Sequence, residues 1–423
     1  MFLGLQPLRG VRILDLSRVL AGPYLTQALA DLGAEVWKVE QPGKGDDTRA
    51  WGPPFVHRNT EPGVEDPRLS AAYFWSCNRN KKSICVDMAT PEGQQILQEL
   101  ARCSDAVVEN FKVGGLAKYH LDYASLSALH PGLVYCSITG YGQTGPKAHE
   151  AGYDYAIQAT SGLMSITGPE DQPYKVGVAV CDVLTGLHAG VALLAALHGR
   201  STTGKGCHID ISLLDVQVSA LVNQGMNFLA TGVSPKRLGN SHPNICPYDL
   251  LWAQDKPFVL AVGNDTQFLH ACRVMGLQYL VEDERFKTNR DRVSHREELL
   301  PLLEEVLRGR PVSEWVQEFS RAGVPCSPVN SVGEALEDPQ VQHREMVVPA
   351  HGAPSVATIA SPIHFLADPD HPHPVSDHRD GGVEERHPTR DPPRLGQDTD
   401  DILTQVLGMT ANEIQDLRGK GVV

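Results

Sequence analysis

The order of hydrophobic patterns between residues 11 and 138 most constrains what this chain can fold into. Val11 to Leu14 reads as a short strand, and Leu25, Ala28, Leu29 and Leu32 then recur at the i, i+3, i+4, i+7 spacing of one helix face. Val36 to Val39, Ala106 to Val108 and Leu133 to Ile138 give further strands. Ahead of Ala106, Thr90 stands where a helix is capped, with Pro91 at its first position and Ile96, Leu97 and Leu100 on its apolar face. Strands that alternate with helices predict an α/β, Rossmann-like domain. Its sheet is mostly parallel and covered on both faces, and ligands gather at the carboxyl ends of the strands.

The remainder of the 423 residues allows a second domain. Turn residues crowd Thr139 to Gly177, where Gly140-Tyr141-Gly142, Gly145-Pro146 and Gly168-Pro169 suit exposed backbone near a ligand. A second loop-like stretch, Gly232 to Pro247, marks a domain boundary. The segment from Ala367 to Pro393 is rich in Asp, His, Arg and Pro. It predicts an extended surface excursion, and its His371, His373, His378 and His387 lack metal-ligand spacing. Thr399 to Leu407 and Ala411 to Leu417 read as terminal helices.

A net charge of -14 argues against nucleic-acid or anionic-membrane partners, which need a basic footprint. The longest apolar stretch, Val183 to Gly199, contains His188 and falls short of the roughly 20 residues that span a bilayer, so no membrane span is expected. Strand-like pattern from Val11 leaves no room for a targeting peptide. Nine scattered cysteines without a C-x-x-C pair predict a reducing compartment, no zinc site and no disulfide framework.

Two nucleotide motifs fail on inspection. The first strand-helix turn, Arg18 to Pro23, carries one glycine where dinucleotide binding needs three, although Glu40 ends the next strand as a ribose acid would. Gly199 to Lys205 resembles a phosphate loop, but Gly206 replaces the metal-binding hydroxyl and the order is helix then strand, so it predicts a turn. Asp182 carries more weight. It follows a β-like run, Val176 to Val180, and opens a long apolar helix in which Gly186 and Gly190 permit close packing. An aspartate there serves as an ordinary cap or, held ionised near glycine-rich loops, as nucleophile or base. The basic stretch Asn78-Arg79-Asn80-Lys81-Lys82 is either a solvated loop or a grip on phosphates.

The runs LDLSRVLAGPYLTQALADLGAEVWKVEQPGKGDDTRAW, NRNKKSICVDM, VVENF, SITGYGQTGP, AGYDYAIQATSGLMSITGPE, VGVAVCDVLTG and TGKGCHIDISLLD, in this order, resemble the class III (CaiB/BaiF) CoA-transferase family, and the resemblance continues to LGQDTDDIL. Within it the chain is most similar to the succinate/hydroxymethylglutarate (glutaryl) group. The resemblance implies a large domain built from both chain ends, residues 1–220 and 338–423, a linker and small domain over 221–337, and an interlocked homodimer. It implies Asp182 as covalent nucleophile and CoA contacts at Val19, Leu20, Ala21, Asn78, Arg79, Asn80, Lys81, Lys82, Asn110, Phe111 and Tyr153. Acyl-CoA and carboxylate substrates, no permanent cofactor, no metal and a mitochondrial matrix location, with the cytoplasm as the alternative, follow from it too. Amides of Gly140 to Gly145 or Gly239 to Asn244 are candidate oxyanion donors, and Arg49, Lys175, Arg237 and Arg292 are candidate partners for the acceptor carboxylate.

The chain departs from the family pattern at Gln41, where many members have Arg or Lys, and at Asp255-Lys256, which replaces an Asp-Gly turn. The alternatives are a 2-methylacyl-CoA racemase, in which a histidine faces the aspartate where this chain has Tyr153, and a CoA-binding protein without catalysis.

Overall fold

In a computed structural model, which describes residues 2, 3, 6–56, 70–350, 356–366 and 390–423, the alternating pattern becomes one sheet. Its six strands are β1 (Arg12–Asp15), β2 (Glu35–Glu40), β3 (Lys82–Cys85), β4 (Ala106–Glu109), β5 (Val134–Thr139) and β6 (His208–Ser212). They lie in the order β3-β2-β1-β4-β5-β6, and every pair is parallel. The chain runs outward from β1 in one direction and from β4 in the other. The carboxyl ends of these neighbours therefore form the switch point at which open α/β sheets bind ligands.

Both faces are covered, as strands apolar on both sides require. On one face α1 (Ala21–Asp31) and the long helix Val180–Thr203 set Leu25, Leu29, Ala189 and Leu193 against Ile13, Val36, Val108, Cys136 and Ile138. On the other, α2 (Pro91–Arg102) and the terminal helices Thr399–Leu407 and Ala411–Gly419 bring Ile96, Leu97, Leu100, Ile402, Leu403 and Ile414 onto Leu14, Trp37, Ile84 and Val107. Thr90 caps α2 by accepting from the Gly93 N–H at 3.1 Å, with Pro91 at its start.

Helix Val180–Thr203 has 24 residues, more than the sequence pattern suggested, and by length and composition alone it is apolar enough to cross a membrane. Its Cys181, Thr185, Gly186, Ala189 and Leu193 are buried, and Gly186 abuts α1, so one face of it packs into the core of this fold. Val176 to Val180 forms no strand. The helix begins at Val180, and Gly204 ends it in a left-handed cap, which makes the phosphate-loop-like sequence a turn.

The chain divides into two compact units, one of residues 1–161, 177–222 and 342–423, the other of 162–176 and 223–341. In the second, Tyr248–Trp252, Pro257–Ala261 and Cys326–Pro328 form a three-stranded antiparallel sheet. Helices Asp265–Met275, Arg296–Leu307 and Val312–Arg321 pack around Phe258, Phe268, Trp315 and Phe319. The hairpin at Asp255-Lys256 forms without glycine, and Asp255 accepts from the Val312 N–H at 2.8 Å. His371, His373, His378 and His387 lie outside the described residues. Among those described, no group of acidic, His and Cys residues is arranged to hold a metal ion.

Candidate active site

Asp182 sits in the first turn of the long helix, half-buried beside a second carboxylate. Asp154 begins the short helix Asp154–Thr160. Its Oδ1 accepts from the Cys181 N–H at 2.8 Å and the Asp182 N–H at 3.3 Å, while Gln158 donates to its other oxygen at 2.7 Å. The long helix has no side-chain cap of its own, so Asp154 supplies one from another element. Burial and then the Asp154 charge push the Asp182 carboxyl up to about 7. The sequence suggested a carboxylate held ionised by the helix end. Here desolvation and a like charge outweigh that field and leave the group titrating near neutrality.

The Asp182 charge also reaches Tyr73, where burial followed by that charge lifts the phenol to about 12, so it stays a hydrogen-bond donor. Trp51 packs edge-on against it with ring centroids 5.4 Å apart. Sequence reasoning passed over Asp154 and Tyr73. Asp154 stood inside the AGYDYA run, where an acid at a helix start with Gln four residues on was the available signal; Tyr73 offered none.

Most of the basic loop turns inward. Lys81 is fully buried and donates to Asp15 at 3.2 Å, to the Pro23 carbonyl and to Asn78. Arg79 forks onto Asp31 and reaches the Ile359 carbonyl, and Asn78 donates to the Phe74 carbonyl at 2.9 Å. Asn80, at φ 64°, exchanges hydrogen bonds with the Arg390 backbone, and half-exposed Lys82 pairs with Glu35 at 2.6 Å. The loop's charge, which the sequence left open as solvated or as a phosphate grip, is largely spent holding chain segments together, because buried cations require partners. Tyr153 precedes the short helix with 69% of its surface exposed.

The turn after β1 is built with unusual care. Val19 adopts φ 73°, a conformation that β-branched residues avoid, and its N–H donates to Asp46 at 3.3 Å. Asn110, after β4, accepts from the Arg18 N–H and donates to the Arg18 carbonyl, and the Arg18 guanidinium lies 5.2 Å from the Phe111 ring centre. Leu20 and Ala21, both buried, lead into α1. Val19, Leu20, Ala21, Asn110 and Phe111 thus meet at the switch point between β1 and β4.

Several candidates are already engaged. Arg49 pairs with Glu40 at 2.7 Å, Arg292 is buried against Asp265 and two carbonyls, and Arg237 donates to the carbonyls of Ser165, Pro169 and Glu170. In the first glycine loop the Gly142 and Gln143 amides go to Thr139 and Asp210, and in the second those of Gly239, Ser241, His242 and Asn244 have acceptors within their own unit. These amides are not free to serve as oxyanion donors as the structure stands.

The model of the family described as CoA-transferase family III matches residues 8–399. The chain belongs to that family. Among family III relatives it is 50% identical over 343 residues to a succinate–glutarate CoA-transferase of Agrobacterium fabrum, covering 81% of this chain and 84% of that one. It is 43% identical over 420 residues to a succinyl-CoA:glutarate CoA-transferase of Mus musculus, covering 99% and 91%. A solved CAIB/BAIF family protein from Brucella suis superposes with a TM-score of 0.80 at 43% identity, over 95% of this chain and all of that one. The chain is accordingly a family III CoA-transferase, and its parallel α/β sheet is the family's.

Proposed function

We propose that this enzyme moves CoA from succinyl-CoA to a short dicarboxylate such as glutarate, with Asp182 as the covalent carrier. The observation that carries the reading is the half-buried Asp182 carboxyl in the first turn of a helix whose leading amides Asp154 caps, in a chain half identical to a succinate–glutarate CoA-transferase. The Asp182 carboxylate attacks the thioester carbonyl and expels the CoA thiolate, leaving an aspartyl-succinyl anhydride. The thiolate attacks the aspartyl carbonyl and releases succinate, leaving an aspartyl-CoA thioester. The acceptor carboxylate displaces the thiolate to form a second anhydride, and attack by the thiolate on the acceptor carbonyl yields the new thioester and restores Asp182. No bond is hydrolysed, so the thioester's free energy is conserved if water is kept out.

The turn Val19 to Ala21 and Phe111, at the switch point, are the proposed CoA contacts, joined by half-exposed Lys82 and Asn80 and by exposed Tyr153, while the Asn110 carboxamide is engaged by the Arg18 backbone. With Arg79 and Lys81 buried in ion pairs, backbone and shape carry more of the CoA contact than loop charge. An interlocked homodimer fits Leu187 and Val191, four residues apart on the long helix and 47% and 70% exposed. The resemblance supports the mitochondrial matrix for a eukaryotic host and the cytoplasm for a bacterial one, since both kinds of relative match.

A racemase would need a second base, and phenolic Tyr153 stands where that base would be. The test is an acyl-CoA donor panel against free dicarboxylic acids, with 18O in the acceptor carboxyl. The mechanism carries acceptor oxygen onto Asp182 and, in the next turnover, into the released donor acid. Succinate without 18O, or deuterium uptake at the α-carbon of a 2-methylacyl-CoA without acyl exchange, overturns the reading.

A further inference from the structure

The turn leaving β1 spends a side chain from another element on nearly every backbone group it has. Lys38 donates to the Ser17 carbonyl at 3.0 Å. The Arg18 N–H donates to Asn110 Oδ1 at 2.9 Å, and Asn110 Nδ2 donates to the Arg18 carbonyl at 2.6 Å. The Val19 N–H goes to Asp46, and the Cys77 thiol lies 3.6 Å from the Val19 carbonyl. Asp46 is fixed by a buried ion pair with Lys38 at 2.8 Å. These partners hold a valine at φ 73°, where its Cβ clashes with its own backbone and where it does not stay unaided. Strain retained by so many contacts marks a conformation that the molecule uses.

The resemblance makes Asn110 a direct CoA contact, yet its carboxamide is committed at both ends to the backbone of one residue, Arg18. The neighbouring N–H and C=O leave its orientation unambiguous, because each group faces its complement.

We infer that Asn110 is a positioning residue, which acts on CoA through the left-handed Val19 turn by holding that turn in its binding conformation before the ligand arrives. The inference rests on the proposed contact between Val19 to Ala21 and CoA. Without Asn110, Val19 relaxes toward negative φ, and binding must drive it back, which lowers affinity by the fraction of molecules that remain competent. Glycine at position 19 has no such bias, since both signs of φ are open to it.

The experiment measures CoA affinity by calorimetry on the full chain for four proteins: unsubstituted, Val19→Gly, Asn110→Ala and the double variant. Asn110→Ala is expected to weaken CoA about tenfold beside Val19 but no more than about twofold beside Gly at position 19, with kcat at saturating substrate little changed. Asn110→Asp, which keeps the acceptor for Arg18 N–H and sets an oxygen against the Arg18 carbonyl, is expected to show the same coupling in a folded protein if the alanine variant does not fold. Equal losses in both backgrounds mean that Asn110 touches CoA itself, and they overturn this inference alone. Absence of CoA binding by the unsubstituted chain overturns the proposed function and this inference with it.

Discussion

At the scale of single residues, two carboxyls are pushed up to about 7, Asp182 chiefly by burial and then by Asp154, and Glu109 by burial. Asp182 must be ionised to attack, so kcat/KM rises with pH through an apparent pKa near 7. Asp154→Asn keeps an acceptor for the Cys181 and Asp182 amides but removes the like charge. It should move that limb to lower pH with little loss at its plateau; an unmoved limb would mean that Asp154 does not act on Asp182 through its charge. Glu109 accepts from the Phe111 N–H at 2.8 Å inside the fold. Its folded pKa stands above the 4.5 ordinary for a glutamate, so the stability it contributes is fully present below 4.5 and is lost as pH rises through about 7. Urea midpoints across that window should fall more steeply for the unsubstituted protein than for Glu109→Gln, and parallel curves would contradict this. Asp182 was legible in the sequence as an acid opening an apolar helix. Its elevated pKa was not, because burial, the larger cause, arises only on folding and the second, Asp154, lies 28 positions away along the chain.

At the scale of elements, the position of Asp182 depends on how its helix meets α1. A Cβ on Gly186 would lie 2.7 Å from the Ala21 carbonyl oxygen, a backbone atom with little room to move. Gly186→Ala should cost about 1–3 kcal/mol by overpacking, read as a lower urea midpoint at unchanged m. It should also lower activity, since the displaced helix carries Asp182. An unchanged midpoint would show that the contact relaxes freely. The helices and strands around this contact were readable from periodicity: β1, β2, β4 and β5 lie within one residue of their expected bounds, and α1 starts four residues ahead of the apolar face read for it. The expected strand at Val176 to Val180 does not form, since the helix claims Val180 and no neighbouring strand pairs with the rest. The partners of the basic loop were not legible for a related reason. Sequence shows charge but not partners, and Asp15, Asp31 and Glu35 lie far from it along the chain.

At the scale of the whole molecule, the strand order β3-β2-β1-β4-β5-β6 places the crevice between β1 and β4, a feature that no local pattern reveals because it depends on which strands pair. The exposed apolar residues of the long helix belong to an interface in the proposed homodimer. Light scattering should return twice the chain mass, and Val191→Glu should shift the population toward single chains; a monomer at micromolar concentration contradicts the dimer. The central claim is that the Asp182 carboxyl itself carries CoA. The enzyme is incubated with succinyl-CoA, quenched with hydroxylamine and mapped by peptide mass spectrometry. A hydroxamate on Asp182, absent from Asp182→Asn protein whose exchange activity is down about a thousandfold or more, is the predicted result. Label on another residue, or rapid exchange with Asp182 unmodified, would contradict it.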